Sequence, residues 1–200
     1  MAEALLLAMM HPADDDEYNA WADTEHLPER LRVPGILTGL RFRNTAPAPR
    51  YLNVYDLEDL AVLDAPDYVS IAGPNSSPWS KRISAGATHR WRYTGSRISS
   101  FPDDGPSTTT GPIAELLVLR WPGVAARRDE AIIASFDKAV ANMPAILHGR
   151  VFVSGNDTGY EYAALAATSE TFEADATDPA HYGTTTHPCD LAQVFVPHSP

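Results

Sequence analysis

The segment Tyr18-Asn19-Ala20-Trp21-Ala22-Asp23-Thr24-Glu25-His26-Leu27-Pro28 brings two aromatic rings, a carboxylate and an imidazole onto one short stretch of expected helix. At 100° per residue, Tyr18, Trp21, Ala22 and Glu25 share a face and His26 sits on its flank. An imidazole titrates near neutrality and can take and return a proton. His26 is therefore the first candidate for acid–base work, with Glu25 beside it in sequence. Pro28 is expected to stop the helix and to disfavour helical geometry at Leu27. The end would then unwind and bring Glu25 and His26 together. The plainer reading is that His26 bonds a terminal carbonyl and Glu25 is solvated. Trp21 and Tyr18 either wall a substrate or fill the core.

Further candidates lie downstream. Arg41 and Arg43 share a strand face with Gly39, and they would hold a substrate carboxylate or pair with Glu25 and Asp56. Tyr55, on an expected adjacent strand, could donate to a developing oxyanion or simply pack. Trp79 ends a Pro- and Ser-rich, loop-like stretch from Gly73, where it would act as a lid. His89, Trp91 and Tyr93 alternate along one strand face, either as a pocket wall or in cross-strand packing. His11 follows the first strand beside a proline and reads as a turn residue. His148, His181 and His187 are scattered, and no spacing suggests a metal centre. Phosphate-loop, dinucleotide and Gly-x-Ser-x-Gly patterns are missing, which takes most of the weight from nucleotide-dependent classes.

The elements that must position these residues repeat. A strand at Leu5–Met10 precedes the helix, whose acidic start suits its N-terminal end, with Asp14 and Glu17 spaced as a capping box. Strands follow at Ile36–Arg43 and Tyr51–Tyr55, then a helical region from near Leu57, then a strand at His89–Tyr93. After a polar, turn-rich segment the order recurs. It runs as a strand Ala114–Trp121, a helix Arg127–Met143 with apolar residues at i, i+3, i+4 spacing, and a hairpin of Ile146–Val153 with Tyr160–Ala167. A short helix near Ser169–Ala176 and a strand Ala192–Val196 close it. Twice βαββαβ is the split βαβ, or ferredoxin-like, plan. The expected fold class is α+β, with two such repeats packed as one pseudo-dimeric α+β barrel. The expected divisions are residues 1–98, the active half; 99–112, a linker; and 113–200, the second repeat. A single large sandwich is the other architecture in reach.

Composition bounds the partners. The 200 residues are 44% hydrophobic and 20% charged, enough for a real core, and net charge is −11 with no basic run. That balance lacks the footprint expected for nucleic acid or an anionic membrane. The lone Cys189 excludes an intrachain disulfide and fits a reducing compartment. The apolar start lacks the flanks of a signal peptide, and no apolar run reaches spanning length, so the expected location is cytoplasmic. The expected partner is a small molecule, with a homodimer possible in principle.

Trp21-x3-Glu25-His26-Leu27-Pro28, Val33-Pro34-Gly35-Ile36, Arg41-Phe42-Arg43 and Tyr51–Leu57 together resemble the dimeric α+β barrel superfamily, nearest its EthD-like branch. Asp178-Pro179-Ala180-His181-Tyr182 resembles the His-Pro-x-His segment of the stress-responsive barrel domains. There the second histidine is catalytic and corresponds to His181, while Asp178 replaces the first. The resemblance implies a cavity between sheet and helices. It also implies a range of chemistries: cofactor-free monooxygenation, aldol-type cyclisation, isomerisation, dehydration or haem-dependent catalysis. The expected function is a cofactor-independent acid–base enzyme of isomerase, cyclase or lyase type, acting on a small apolar carbonyl or phenolic substrate. In it His26, Glu25 and Tyr55 do the chemistry, and Trp21, Tyr18, Arg41, Arg43, Trp79, His89, Trp91 and His181 bind the substrate. The alternatives are a cofactor-free monooxygenase, a haem protein with His181 or His148 as axial ligand, and a non-catalytic binding protein.

Overall fold

A computed structural model describes residues 2–44, 46, 48–101, 112–141, 143, 145–172, 174–183 and 187–198. The chain divides into two units, one of residues 1–92 with 198–200 and the other of residues 93–197.

In the first unit the leucine-rich opening forms β1 (Ala4–His11), which pairs antiparallel with β3 (Tyr51–Leu57), and β3 pairs antiparallel with β2 (Ile36–Arg43). The register sets Leu6 opposite Tyr55 and Tyr55 opposite Gly39. Because side chains alternate, Leu6, Ala8, Asn53, Tyr55, Gly39 and Arg41 share one face. The other face carries Leu5, Leu7, Leu52, Val54 and Phe42, all at most 1% exposed. That face is mostly apolar, with Asp56 buried on it, while Asn53, Tyr55 and Arg41 lie on the first.

Helices cover the polar face. The Asp14 carboxylate accepts from the Glu17 backbone N–H at 2.7 Å and starts α1 (Asp15–Trp21). Pro28 does not stop the helix. The chain widens into a π turn over Ala22–His26, in which the Leu27 N–H reaches back five residues to the Ala22 carbonyl, and continues as α2 (Leu27–Leu31). Proline has no N–H and its ring crowds the carbonyl four residues back, so a regular helix would break there. One widened turn gives the ring room and places it in the first turn of α2.

The expected helix after Leu57 is interrupted by Pro66, Pro74 and Pro78. It becomes a 3₁₀ turn (Leu60–Asp64), α3 (Pro66–Val69), a second 3₁₀ turn (Gly73–Asn75) and α4 (Pro78–Gly86). Trp79 therefore stands in the first turn of α4 rather than in a loop. Ser77 caps α4 by accepting from the Ser80 N–H at 2.9 Å. β4 (Thr88–Phe101) follows, with His89 at φ 48° near its start.

The second unit holds β5 (Glu115–Val124), α5 (Asp129–Val140), β6 (Ile146–Asn156), β7 (Gly159–Thr168) and β8 (Leu191–Pro197). Antiparallel pairing gives the order β8-β5-β7-β6, with the Ser96–Phe101 end of β4 beyond β6. The β6–β7 hairpin closes at Asn156 opposite Gly159. Ile132, Phe136 and Val140 form the buried stripe of α5. Phe136 lies so close over Gly149 that a Cβ there would stand 2.8 Å from its ring. The expected linker starts inside a strand, since Ser99–Phe101 belong to β4, and its residues 102–111 lie outside the described residues. The expected helix near Ser169–Ala176 is replaced by 3₁₀ turns at Ala174–Thr177 and Pro179–His181. Among the described residues, no helix is long and apolar enough to cross a membrane.

Candidate active site

The first unit encloses a cavity of about 630 Å³ between the polar face of its sheet and α2, α3 and α4. Leu6, Ala8 and Met10 of β1 form an apolar wall, and His26, Tyr55 and Trp21 stand against it.

The π turn explains how His26 arrives there. In such a turn residues i and i+5 align along the axis. The rings of Trp21 and His26, five residues apart, stack with centroids 4.2 Å apart and planes at 24°. Regular helical spacing puts His26 on the flank, whereas the widened turn swings it over the indole. It also approaches Tyr55 edge-on, with centroids 6.2 Å apart. His26 Nδ1 is buried without a hydrogen-bond partner. Burial, with Arg30 and Arg41 adding positive charge nearby, lowers the His26 pKa to about 3, so the ring is neutral at physiological pH.

Tyr55 is fully enclosed, and its hydroxyl also lacks a partner. Burial pushes its ionisation far above the ordinary phenol range, so it remains an O–H donor. Gly39 makes room for it. A Cβ at Gly39 would meet Leu27 Cδ1 at 2.7 Å and the Tyr55 ring at 3.2 Å.

Glu25 turns away from His26. Its carboxylate accepts hydrogen bonds from the hydroxyls of Ser77 and Ser80, the latter at 3.3 Å. Ser80 in turn accepts from Trp21 Nε1–H at 3.0 Å. Glu25 thus ties the π turn to the start of α4, and the expected approach of Glu25 to His26 does not occur because Pro28 leaves the helix wound.

Tyr18 is buried behind the site. It stacks on Tyr51 with centroids 4.4 Å apart, its hydroxyl donates to Asn53 at 3.3 Å, and burial pushes its pKa up to about 12. Trp79, half-buried, packs on the same cluster of Tyr18, Trp21, Tyr51 and Ile83. Arg41 pairs with Asp23, not with Glu25 or Asp56, and also donates to Asn19 at 2.5 Å. Arg43, two residues on, is exposed.

Along β4 the expected face is reversed. Arg90 and Arg92, not His89 and Trp91, line the cavity. His89 is exposed at φ 48°, which breaks the strand alternation there, and its ring meets His11 edge-on at 6.1 Å. His181 belongs to the second unit, where it is exposed with Nε2 3.8 Å from the Asp178 carboxylate.

The residues that sequence reasoning passed over are Arg30, Tyr68, Lys81 and the Arg90/Arg92 pair. Arg30 stands four residues after His26, a same-face spacing that reads correctly only if the helix survives Pro28. It is 7% exposed, its Nη2 donates to the Ile71 carbonyl at 3.2 Å, and its guanidinium lies 4.9 Å from the centre of the Tyr68 ring. The alternation Arg90-Trp91-Arg92 was legible, but not which face turns inward.

No family model matches the chain, and no curated protein matches it by sequence. Solved structures do. The chain is similar to an anthrone oxidase-like protein, with 8% identity and a TM-score of 0.64 over 100% of this chain and 92% of that one. It is also similar to a candidate monooxygenase from Lactobacillus acidophilus NCFM, with 11% identity and a TM-score of 0.54 over 99% and 94% of the two chains. A candidate chlorite dismutase follows with 11% identity and a TM-score of 0.56, covering 100% and 96%. At such identities the likeness concerns fold alone.

Proposed function

We propose that the first unit is a cofactor-independent oxygenase. It removes a proton from a small ring-bearing substrate, phenolic or carbonyl-activated, and the resulting anion reacts with oxygen. The observation that carries this reading is a partnerless imidazole nitrogen on His26, edge-on to the ring of Tyr55, whose hydroxyl is also partnerless, both residues lining one cavity.

An unpaired buried polar atom costs about 1–3 kcal/mol, which a substrate offsets by supplying the missing partner. His26 accepts the acidic proton. Tyr55, held protonated, donates to the oxygen where negative charge develops. Arg30 faces the imidazole from the next turn and stabilises the anion beside the new imidazolium, so a base of low intrinsic pKa suffices. Trp21 shields the ring from water. For an activated methylene the balance is one methylene and one dioxygen giving one carbonyl and one water. Both methylene C–H bonds and the O–O bond break, a C=O bond forms, and the second oxygen leaves as water with both protons. The methylene carbon is oxidised and dioxygen is reduced. The names of the two similar proteins, an anthrone oxidase-like protein and a candidate monooxygenase, support oxygen as co-substrate over isomerase, cyclase or lyase chemistry. We also read the two units as diverged copies of one βαββαβ plan, with the chemistry confined to the first, and place the chain near the EthD-like branch.

Haem does not fit this cavity through the histidines expected to ligate it. His148 and His181 both belong to the second unit, and neither is among the cavity residues.

Oxygen-electrode assays with naphthols, hydroxynaphthoates and anthrone-type ring ketones test the reading. Substrate-dependent uptake that falls about a hundredfold in His26→Ala is expected. Uptake unchanged in His26→Ala, or none with any of these substrates, overturns it. Product formed equally without oxygen returns the site to the isomerase, cyclase or lyase alternatives.

A further inference from the structure

The chain carries a net charge of −11, yet among the described residues its cavity is lined by Arg30, Lys81, Arg90 and Arg92 and by no aspartate or glutamate. Three of the four place their hydrogen bonds on neutral acceptors. Arg30 donates to the Ile71 carbonyl, Arg90 to the Ser84 carbonyl at 3.3 Å, and Arg92 to the Tyr68 hydroxyl at 3.3 Å. Among the described residues, none of the four has a carboxylate within ion-pair distance. Several arginines outside the cavity differ, as Arg50 pairs with Asp15, Arg82 with Glu17 and Arg120 with Asp190. Glu29 feels the charge of Arg30 but does not line the cavity.

Arg30 decides the matter. It is 7% exposed, and its Nη1 is buried without any acceptor. Burying a guanidinium without a counter-ion is costly unless something else supplies the negative charge. The rim arginines are exposed, so they attract from solvent, whereas Arg30 waits inside.

We infer that the cavity takes an anionic aromatic ligand, a ring system bearing a carboxylate that pairs with Arg30 Nη1, with Arg90, Arg92 and Lys81 drawing it in. This rests on the oxygenase reading only in placing ligand and chemistry in one cavity. It narrows the substrate class from any small phenol to hydroxyaryl carboxylates. Planar carboxylate matches the fork of a guanidinium, while the apolar β1 wall and Trp21 receive the rings.

The test is binding of 1-hydroxy-2-naphthoate and its methyl ester to the full chain, read by calorimetry at low and moderate salt. The acid is expected to bind at least about tenfold tighter than the ester, with the advantage shrinking as salt rises. Arg30→Met should remove that advantage, and Arg30→Lys should restore part of it. Arg90→Gln, at the exposed rim, leaves the fold intact and should weaken the acid several-fold without touching the ester. Equal affinity for acid and ester, or no binding of either, overturns the inference. Tight acid binding without oxygen uptake keeps it while removing the oxygenase reading. Uptake with uncharged naphthols and no acid preference does the reverse.

Discussion

The imidazole of His26 lies flat on the indole of Trp21, 4.2 Å between centroids, because a π turn brings residues five apart into line. The same indole donates to Ser80, so the stack is anchored at its far side to α4. Trp21→Phe keeps a ring but leaves the buried Ser80 hydroxyl without its donor. A stability loss of about 1–3 kcal/mol is expected in urea melts. Substrate turnover should fall more than binding, because His26 loses its flat support. Unchanged stability and turnover would show that the stack positions nothing.

The lowered His26 pKa has a definite sign in stability. Between pH 6.5 and about 3 the unfolded chain binds a proton at this site and the folded chain does not. Stability from this group is therefore complete above pH 6.5 and is lost as pH falls, by roughly 1.4 kcal/mol per pH unit. Going from pH 7 to pH 5, wild type should lose about 2 kcal/mol more than His26→Gln, which cannot titrate. Parallel losses in the two proteins would mean that the imidazole protonates as it does in water. For the same reason kcat/KM should show no acid limb near pH 6.5 from His26.

The Glu25 carboxylate is held by Ser77 and Ser80, which ties the π turn to α4. Glu25→Gln retains an acceptor oxygen and should keep turnover within about threefold, with a loss of about 1 kcal/mol. Glu25→Ala removes the acceptor and should cost about 1–3 kcal/mol, loosening the start of α4. A hundredfold loss of kcat in Glu25→Gln, with KM and stability unchanged, would restore the carboxylate to the chemistry.

The places of β2 and β3 and the faces of β2 were legible because strands alternate with period 2, and the capping of α1 by Asp14 followed from its spacing to Glu17. The site was half legible. His26 and Tyr55 do meet, and Trp21 does wall the cavity, but the residues around them were misplaced for one reason. Pro28 was read as a stop, and a π turn that absorbs a proline has no periodicity to reveal it. Reading past Pro28 sets Arg30 under His26. On β4 the alternation was plain but two-valued, and the left-handed backbone at His89 turns Arg90 and Arg92 inward. Arg41 and Arg43 show the same limit, because one strand face holds both a buried ion pair and a solvated arginine.

Gly39 offers the cleanest separation of packing from chemistry. It lies opposite Tyr55 on β2, and its backbone needs no left-handed conformation, so the cost of a side chain there is purely steric. In Gly39→Ala the new methyl would stand 2.7 Å from the flexible end of Leu27 and 3.2 Å from the Tyr55 ring. Leu27 can rotate away, whereas the enclosed Tyr55 ring must shift by a few tenths of an ångström. Overpacking of this kind costs about 1–3 kcal/mol. Under the proposed role of Tyr55 as donor to the developing oxyanion, kcat should fall about tenfold or more while KM stays near wild type. Tyr55→Phe, which keeps the ring and removes the hydroxyl, should lower kcat at least as far without the steric cost. If Gly39→Ala destabilises the protein and leaves kcat intact, the Tyr55 hydroxyl plays no part in the reaction.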